Sequence, residues 1–302
     1  MTTTKMHADE VDIDASLVGR LIAAQFPQWA DLPVTKVRSA GTDNAMYRLG
    51  DDMAVRLPLT PGAAHGVDKE QRWLPRLAPL LPLAVPMPLG KGVPGEGYDL
   101  PWSVYRWLDG QNVFDEPLTD LRAAAVELGR FVVALRQADA AAGPPSFRGG
   151  PLRTRDDDVR VAIRDLDADG TLDGEAATAA WDAALRLPAW HGAPVWVHSD
   201  LLPGNLLARD GRLSAVIDFG ALGVGDPACD MMAAWTVLSA ETRDLFRAAA
   251  GADDATWARG RGWALCFGLT ALHYYRVTNP VLADVGRRAV HEALADCRGT
   301  TT

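Results

Sequence analysis

The densest run of chemistry-bearing residues lies between positions 197 and 220. It reads V-H-S-D-L-L-P-G-N-L-L over 197–207 and A-V-I-D-F-G over 215–220. The spacing is His198-x-Asp200-x₄-Asn205, followed by Asp218-Phe219-Gly220. Phosphoryl transfer from a nucleoside triphosphate asks for such a set. A carboxylate must stand beside the attacking hydroxyl, and Asp200 is the candidate base. Mg²⁺ prefers hard oxygen ligands, and Asn205 and Asp218 offer them. His198 reads as a hydrogen-bonding support of the loop rather than a proton carrier. Further on, Asp226-Pro227 has the form of a helix N-cap followed by proline at the first helical position.

Taken together, these segments resemble the aminoglycoside phosphotransferase family, also called the phosphotransferase enzyme family, of the protein-kinase-like fold. The family pattern is H-G-D-x₄-N, then I-D-F/W-G/E, then G-D-P-x-x-D. This chain has H-S-D-L-L-P-G-N, I-D-F-G, and G-D-P-A-C-D ending at Asp230. The likeness runs over roughly residues 30–300 and departs at Ser199, where the family has Gly. The resemblance implies a small-molecule kinase that uses Mg²⁺ with ATP or GTP. It also implies that Asp230 bonds backbone amides of the catalytic loop, with Asp226 structural.

A nucleotide site of this kind needs a strand cation for the phosphates and a helix Glu to orient it. Arg56, in M-A-V-R-L-P, is the candidate cation where the family has Lys; Arg can bind phosphate bidentately and stays charged. Glu70 is the expected partner, with Asp68 as competitor. The turn 39–44 stands where kinases carry a glycine-rich loop; with a single Gly it offers backbone amides and the Ser39 and Thr42 hydroxyls to phosphates. Residues 102–110, W-S-V-Y-R-W-L-D-G, resemble the family's hinge. The Arg106 carbonyl and Leu108 amide would then meet the purine edge, and Tyr105 would stand at the back of the base pocket. A bulky residue there suggests that GTP serves as donor; core packing of Tyr105 with ordinary ATP use is the other reading.

For the acceptor the signal is thinner. The acidic stretch Asp156, Asp157, Asp158, Asp165, Asp167 and Asp169 could attract an amino-bearing substrate or be a solvated helix face. Trp235, His273 and Tyr274 could line a pocket for a ring-shaped acceptor or pack in the core. Asp158, Trp235, His273 and Tyr274 are therefore the candidate acceptor contacts.

The elements that would hold these residues are legible from periodicity and turn chemistry. Residues 1–10 read as a loose tail and a leading helix falls within 11–28. Strand-like runs follow at 34–39, 45–49 and 53–57, then a helix at 66–78, a Pro/Gly-rich stretch at 79–97 and a strand within 98–108. The break at 108–110 marks a lobe boundary. Helices are expected at 118–140, 156–167 and 176–187, strands at Val195–Val197 and 213–217, and more helices from 227 to about 298. The predicted fold is α+β and bilobal: a β-rich N-terminal lobe over 1–107 with one main helix, and a mainly helical C-terminal lobe over 108–302.

Composition sets outer limits. The chain has 302 residues, 48% hydrophobic and 23% charged, with a net charge of −9. That suits a two-lobed globular protein and disfavours nucleic acid as a partner. No run of roughly 18 apolar residues occurs, so no membrane span is expected. Cys229, Cys266 and Cys297 form no close pair and read as reduced thiols. Without a visible leader the expected location is cytoplasmic, as a monomer or homodimer acting on a small hydroxyl compound, cationic or neutral.

Three functions compete. A small-molecule kinase would act on an aminoglycoside-like antibiotic, a macrolide, a sugar or an amino alcohol. A protein kinase fits poorly, because Asp226 follows Gly220 by only six positions and leaves no room for an activation loop. A non-catalytic pseudokinase draws support only from Arg56, since Asp200, Asn205 and Asp218 are all present.

Overall fold

The computed structural model describes residues 13–37 and 43–299. The tail at 1–10 and the loop residues Ser39 and Thr42 lie outside them. Helix α1 (Ala15–Gln25) starts where the Asp14 carboxylate accepts the Leu17 amide at 2.8 Å, satisfying one of the orphan donors of a helix start. Strands β1 (Val34–Lys36), β2 (Asn44–Leu49) and β3 (Met53–Pro58) form the expected meander. Two further strands, β4 (Pro88–Gly92) and β5 (Trp102–Arg106), complete an antiparallel sheet of order β1-β2-β3-β5-β4.

Period-two alternation decides what each face of this sheet does. Tyr47, Leu49, Val55, Leu57, Trp102 and Val104 pack with the buried stripe of α1, Leu17, Val18, Leu21 and Ile22. Arg56, Ser103 and Tyr105 alternate with them and turn toward helix α2 (Pro61–Leu77).

Two elements differ from expectation. Helix α2 begins at Pro61, not near 66, because the Thr60 hydroxyl accepts the Ala63 amide at 3.3 Å and proline pre-sets the first turn. Strand β4 sits inside the Pro/Gly-rich stretch, paired to β5 with a register shift between Pro88 and Gly90. Proline lacks a ladder donor and is tolerated at such an edge.

Beyond β5 the chain is mostly helical. It runs through β6 (Gln111–Asn112), α3 (Leu121–Gln137), α4 (Asp156–Ala168), α5 (Gly174–Leu185), β7 (Val195–Val197), β8 (Leu206–Arg209), β9 (Arg212–Val216) and β10 (Gly223–Gly225). The short α6 (Ala233–Thr236), α7 (Arg243–Ala250), α8 (Asp254–Tyr275) and α9 (Pro280–Gly299) follow. Strands β6-β8-β9 form one small sheet and β7-β10 another. Helix α8 is apolar nearly all round, burying Trp263, Leu265, Phe267, Leu269 and Leu272, as a central helix must. Among the described residues no helix is long and apolar enough to cross a membrane.

The β-rich and helical parts are joined by packing beside the motif region. Trp73 of α2 meets Trp196 of β7 edge to face, ring centroids 4.7 Å apart. Such a pair contributes about 0.5–1.5 kcal/mol beyond its buried area. The Val216 amide also donates to the Ala84 carbonyl at 3.0 Å. Both contacts fix the elements that carry the catalytic segment.

Candidate active site

The segment with the candidate base leaves β7 at His198. The buried Asp230 carboxylate accepts the amides of His198 (3.0 Å) and Ser199 (2.6 Å). Burial pushes the Asp230 carboxyl above its ordinary range, against the pull of His198 and these two amides. Ser199 adopts φ +63°, the left-handed region that favours glycine. Its hydroxyl donates to the Ala221 carbonyl at 2.9 Å, a bond glycine would lack.

His198 is held by two neighbours. The Asp200 amide donates to Nδ1 at 3.2 Å, so Nε2 carries the proton and donates to the Ile217 carbonyl at 3.1 Å. The ring is fully buried against Phe219. It ties the Asp200 turn to the Asp218 turn and is placed as a support.

Asn205 closes the loop. Its Nδ2 donates to the Asp200 carbonyl and to Asp200 Oδ2, both at 2.8 Å. The β8–β9 hairpin reverses at Asp210-Gly211, both at positive φ, the twist a two-residue hairpin favours. At its open end the Ile217 amide donates to the Asn205 carbonyl at 2.9 Å. This bond sets Asn205 and Asp218 side by side. Asp218 itself sits at φ +60°, with Oδ1 accepting the Gly220 amide at 3.3 Å.

Asp218 Oδ1 also accepts from Arg56 Nη2 at 2.6 Å, and Arg56 Nη1 donates to Glu70 Oε1 at 2.7 Å. Enclosure works against the Asp218 charge, but Arg56 prevails and holds the carboxyl below the usual carboxylate range. Glu70 is buried, and its other oxygen accepts the Tyr105 hydroxyl. With its amide turned so that oxygen faces the guanidinium, Asn44 accepts from Arg56 Nε at 3.1 Å and Nη2 at 2.9 Å. Arg56, Glu70 and Asp218 thus form one bonded unit across the two parts of the fold.

Asp68 is exposed and pairs with Lys91 at 2.6 Å, so it does not compete with Glu70. Tyr105 is buried with its hydroxyl committed to Glu70. The Arg106 side chain is exposed and its amide donates to the Met87 carbonyl at 2.8 Å. Leu108 lies half-buried two residues past the end of β5.

Magnesium would meet a suitable pair of oxygens here. Among the described residues Asn205 Oδ1 and Asp218 Oδ2 have no hydrogen-bond partner, while their neighbouring atoms are held by Asp200 and Arg56. Among the described residues no group of three or more His, Cys, Asp or Glu could hold a metal alone. Two protein oxygens suffice for Mg²⁺, which takes its other ligands from phosphates and water.

Asp226 caps the short 3₁₀ helix Pro227–Met232, accepting the Ala228 amide at 2.9 Å. Arg259 of α8 pairs with it through two bonds, 2.7 and 3.1 Å, with both side chains buried.

The candidate acceptor residues are not brought together. Trp235 is fully buried, its ring 4.8 Å from that of Trp257. It belongs to the core and offers no face to an acceptor, a correction to the pocket reading; Trp257 and the Arg243 guanidinium, 5.8 Å from the ring centroid, help cover it. His273 Nε2 pairs with Asp165 at 3.1 Å. Tyr274 is exposed and stacks edgewise on Tyr275. Asp158 pairs with Arg155 at 3.3 Å, and Asp156 with Arg160 at 2.8 Å. Asp169 is bonded to Arg276 and Asp165 also to Arg164. Arginines neutralise most of the acidic stretch.

Two site residues gave no sequence signal. Asn44 begins β2 after a turn. Arg148, in the loop between α3 and α4, donates through Nη1 to Asp200 Oδ1 at 2.6 Å and to the Ser199 carbonyl at 2.8 Å. It stands 52 positions before its partner in a Pro/Gly-rich segment without periodicity.

A two-part fold of this kind, with Asp200, Asn205 and Asp218 converging beside a strand Arg paired to a helix Glu, defines a phosphotransferase with an alcohol group as acceptor, of protein-kinase-like fold. The sequence matches the Phosphotransferase enzyme family over residues 34–263, and the chain belongs to that family. Among solved structures it is similar to the GDP complex of an aminoglycoside 2'-phosphotransferase-IIIa mutant, with TM-score 0.75 and 20% identity over 96% of this chain and 100% of that one. It is also similar to the GDP and kanamycin complex of an APH(2'')-type enzyme, TM-score 0.71 and 20% identity over 92% and 98% of the two chains. A macrolide 2'-phosphotransferase from Brachybacterium faecium aligns with TM-score 0.61 and 23% identity over 92% and 97%. A comparison with curated proteins finds no match.

Proposed function

We propose that this enzyme transfers the γ-phosphoryl group of ATP or GTP to a hydroxyl of an aminoglycoside-like antibiotic or a related metabolite. The reading rests on one observation above all. The Asp200 carboxylate is held on both oxygens, by Arg148 at 2.6 Å and Asn205 at 2.8 Å, one hairpin away from Asp218. A base fixed in this way can take the proton of an incoming hydroxyl as its oxygen attacks the γ-phosphorus. Arg56, oriented by Glu70, is the cation for the nucleotide phosphates. Asn205 and Asp218 would hold Mg²⁺, which when bound offsets negative charge on the β- and γ-phosphates. Asp200 keeps its orientation from the loop, Asp230 and His198 keep the loop, and the apolar neighbours Leu201 and Leu206 exclude water beneath it.

Both donors are retained. Neighbouring solved structures carry GDP or ADP, and the Tyr105 hydroxyl is committed to Glu70. A second acceptor reading is a macrolide, sugar or amino-alcohol kinase. It is favoured by the pairing of Asp156, Asp158, Asp165 and Asp169 with arginines, which removes the acidic patch a polycation would seek. An antibiotic-resistance role fits either reading. A pseudokinase role is opposed by the intact Asp200, Asn205 and Asp218.

The test is a transfer screen. The protein with Mg²⁺ and either ATP or GTP is offered aminoglycosides, macrolides, sugars and amino alcohols, and phosphorylated product is read by mass. A product fixes donor and acceptor class together. Absence of Mg²⁺-dependent nucleotide binding would overturn the kinase reading.

A further inference from the structure

We propose that Arg148 is a positioning residue for the catalytic base, fixing the one orientation in which Asp200 can meet an acceptor hydroxyl. The inference rests on the reading of Asp200 as base. Its first support is the way Arg148 is delivered. The loop 144–149 lies along the outer edge of β10: the Ser146 amide donates to the Val224 carbonyl at 3.0 Å, and the Val224 amide to the Pro144 carbonyl at 2.7 Å. The Asp226 amide donates to the Gly149 carbonyl at 2.9 Å. The two backbones approach so closely that a Cβ on Gly225 would stand 2.4 Å from the Gly149 oxygen, and one on Gly149 would stand 2.9 Å from the Gly225 Cα. Any side chain at either place would push the loop, and Arg148 with it, off the edge.

The second support is what the guanidinium does on arrival. It lies 5.8 Å from the Phe267 ring and 5.1 Å from the Phe147 ring, which limits its swing. Through one nitrogen it bonds both the Asp200 carboxylate and the Ser199 carbonyl, so it ties the base to the backbone beside it. Asn205 holds the other carboxylate oxygen. With both oxygens engaged, rotation of the carboxylate is stopped, yet each oxygen keeps a lone pair for the acceptor. The step it serves is balanced: the acceptor oxygen bonds the γ-phosphorus, the bond to the bridging oxygen breaks, the diphosphate leaves, and Asp200 takes the hydroxyl proton.

The third support is partial enclosure. The Arg148 and Asp200 side chains are only 18% and 23% accessible. Water screens such a pair less than a surface one, so the bond holds the base in place while leaving it an open side.

The experiment uses water as the acceptor, so that no acceptor need be known. Mg²⁺-dependent hydrolysis of ATP and GTP is measured for the wild type, Arg148→Ala, Arg148→Lys and the double variant Arg148→Ala with Asp200→Asn. Nucleotide affinity and melting temperature are measured alongside. Arg148→Ala is expected to lower kcat by about tenfold to a hundredfold, the cost of a misplaced catalytic group, with nucleotide affinity unchanged. Arg148→Lys should recover only part, because an ammonium lacks the planar fork. Guanidinium at low millimolar concentration should restore Arg148→Ala and fail on the double variant. An unchanged or raised kcat in Arg148→Ala and Arg148→Lys overturns the proposal, as does guanidinium rescue without Asp200. Should Arg148→Ala not fold, a wild-type rate in a folded Arg148→Lys overturns it equally. A wild type that binds no nucleotide with Mg²⁺ defeats the kinase reading itself, a result separate from any effect of Arg148.

Discussion

The proposed nucleotide side and the proposed acceptor side of this molecule are built on opposite plans. On the nucleotide side Arg56, Glu70, Tyr105 and Asp218 share one chain of bonds, with Glu70 and Tyr105 buried. On the acceptor side the carboxylates of α4 stand in water, paired mostly with arginines from their own helix or its neighbours. A buried charge must be bonded or it costs several kcal/mol, so the first plan tolerates few changes. An exposed pair is worth about 0–1 kcal/mol, so the second can change freely. The lesson is that the groups proposed for the nucleotide are locked by shared bonds, whereas the acids of α4 are held mainly by separate ion pairs at the surface.

The sharpest way to break this comparison is at Asp200 and Asp218, the proposed base and the proposed magnesium ligand. Asp200→Ala should cost about 10²–10⁴ in kcat while Mg²⁺-nucleotide affinity by calorimetry is kept. Asp218→Ala should lose that affinity as well. If both variants bound nucleotide like the wild type, the nucleotide plan would be misassigned.

Next comes the Tyr105 tether. Tyr105→Phe leaves a buried Glu70 oxygen without its donor and should cost about 1–3 kcal/mol of stability, read from urea unfolding. A smaller loss of kcat than in Asp200→Ala should accompany it, since Glu70 keeps Arg56.

Acid provides a milder probe of the same unit. The Asp218 carboxyl is depressed in the folded state, so its contribution is complete above about pH 5 and is lost as pH falls through the folded value. The stability gap between the wild type and Asp218→Asn should therefore be full at neutral pH and shrink toward pH 3. A gap that grew on acidification would contradict the pairing with Arg56.

The smallest effect is expected at α4. Asp158→Asn should leave melting temperature and nucleotide affinity alone and change the KM for an amino-bearing acceptor by less than about threefold, as suits a pair worth under 1 kcal/mol. A large rise in KM would show that the open acids do hold the acceptor.

Much of the nucleotide plan could be read from residue order, because its key groups lie on one loop and one hairpin at fixed spacing. Asp200, Asn205 and Asp218 are set by local chain geometry, and Arg56 by strand alternation between apolar neighbours. The G-D-P signal placed Asp226 and Asp230 on a helix start facing the loop. Arg148 was illegible for the converse reason: only the folding of a loop onto β10 brings it to Asp200. Asn44 needed the sheet register, and β4 was masked by prolines that usually argue against a strand. Trp235 and Tyr274 came from one aromatic signal, yet one is core and the other surface, a difference made by tertiary packing alone. The start of α2 at Pro61 was present in the sequence as Thr60-Pro61, outweighed by the weak helix formers Gly62 and Gly66.

Strand β10 limits how a drug could act on this enzyme. It follows the Asp218-Phe219-Gly220 turn directly and is bonded on one edge to β7 and on the other to the 144–149 loop. Gly66 of α2 presses on the same turn, where a Cβ would lie 3.4 Å from the Gly220 Cα. A compound that acts by prising this turn outward would have to break backbone bonds on both edges of β10 before it gained any contact. The route left to an inhibitor is competition at Asp200 and Asp218, whose side chains stay partly accessible.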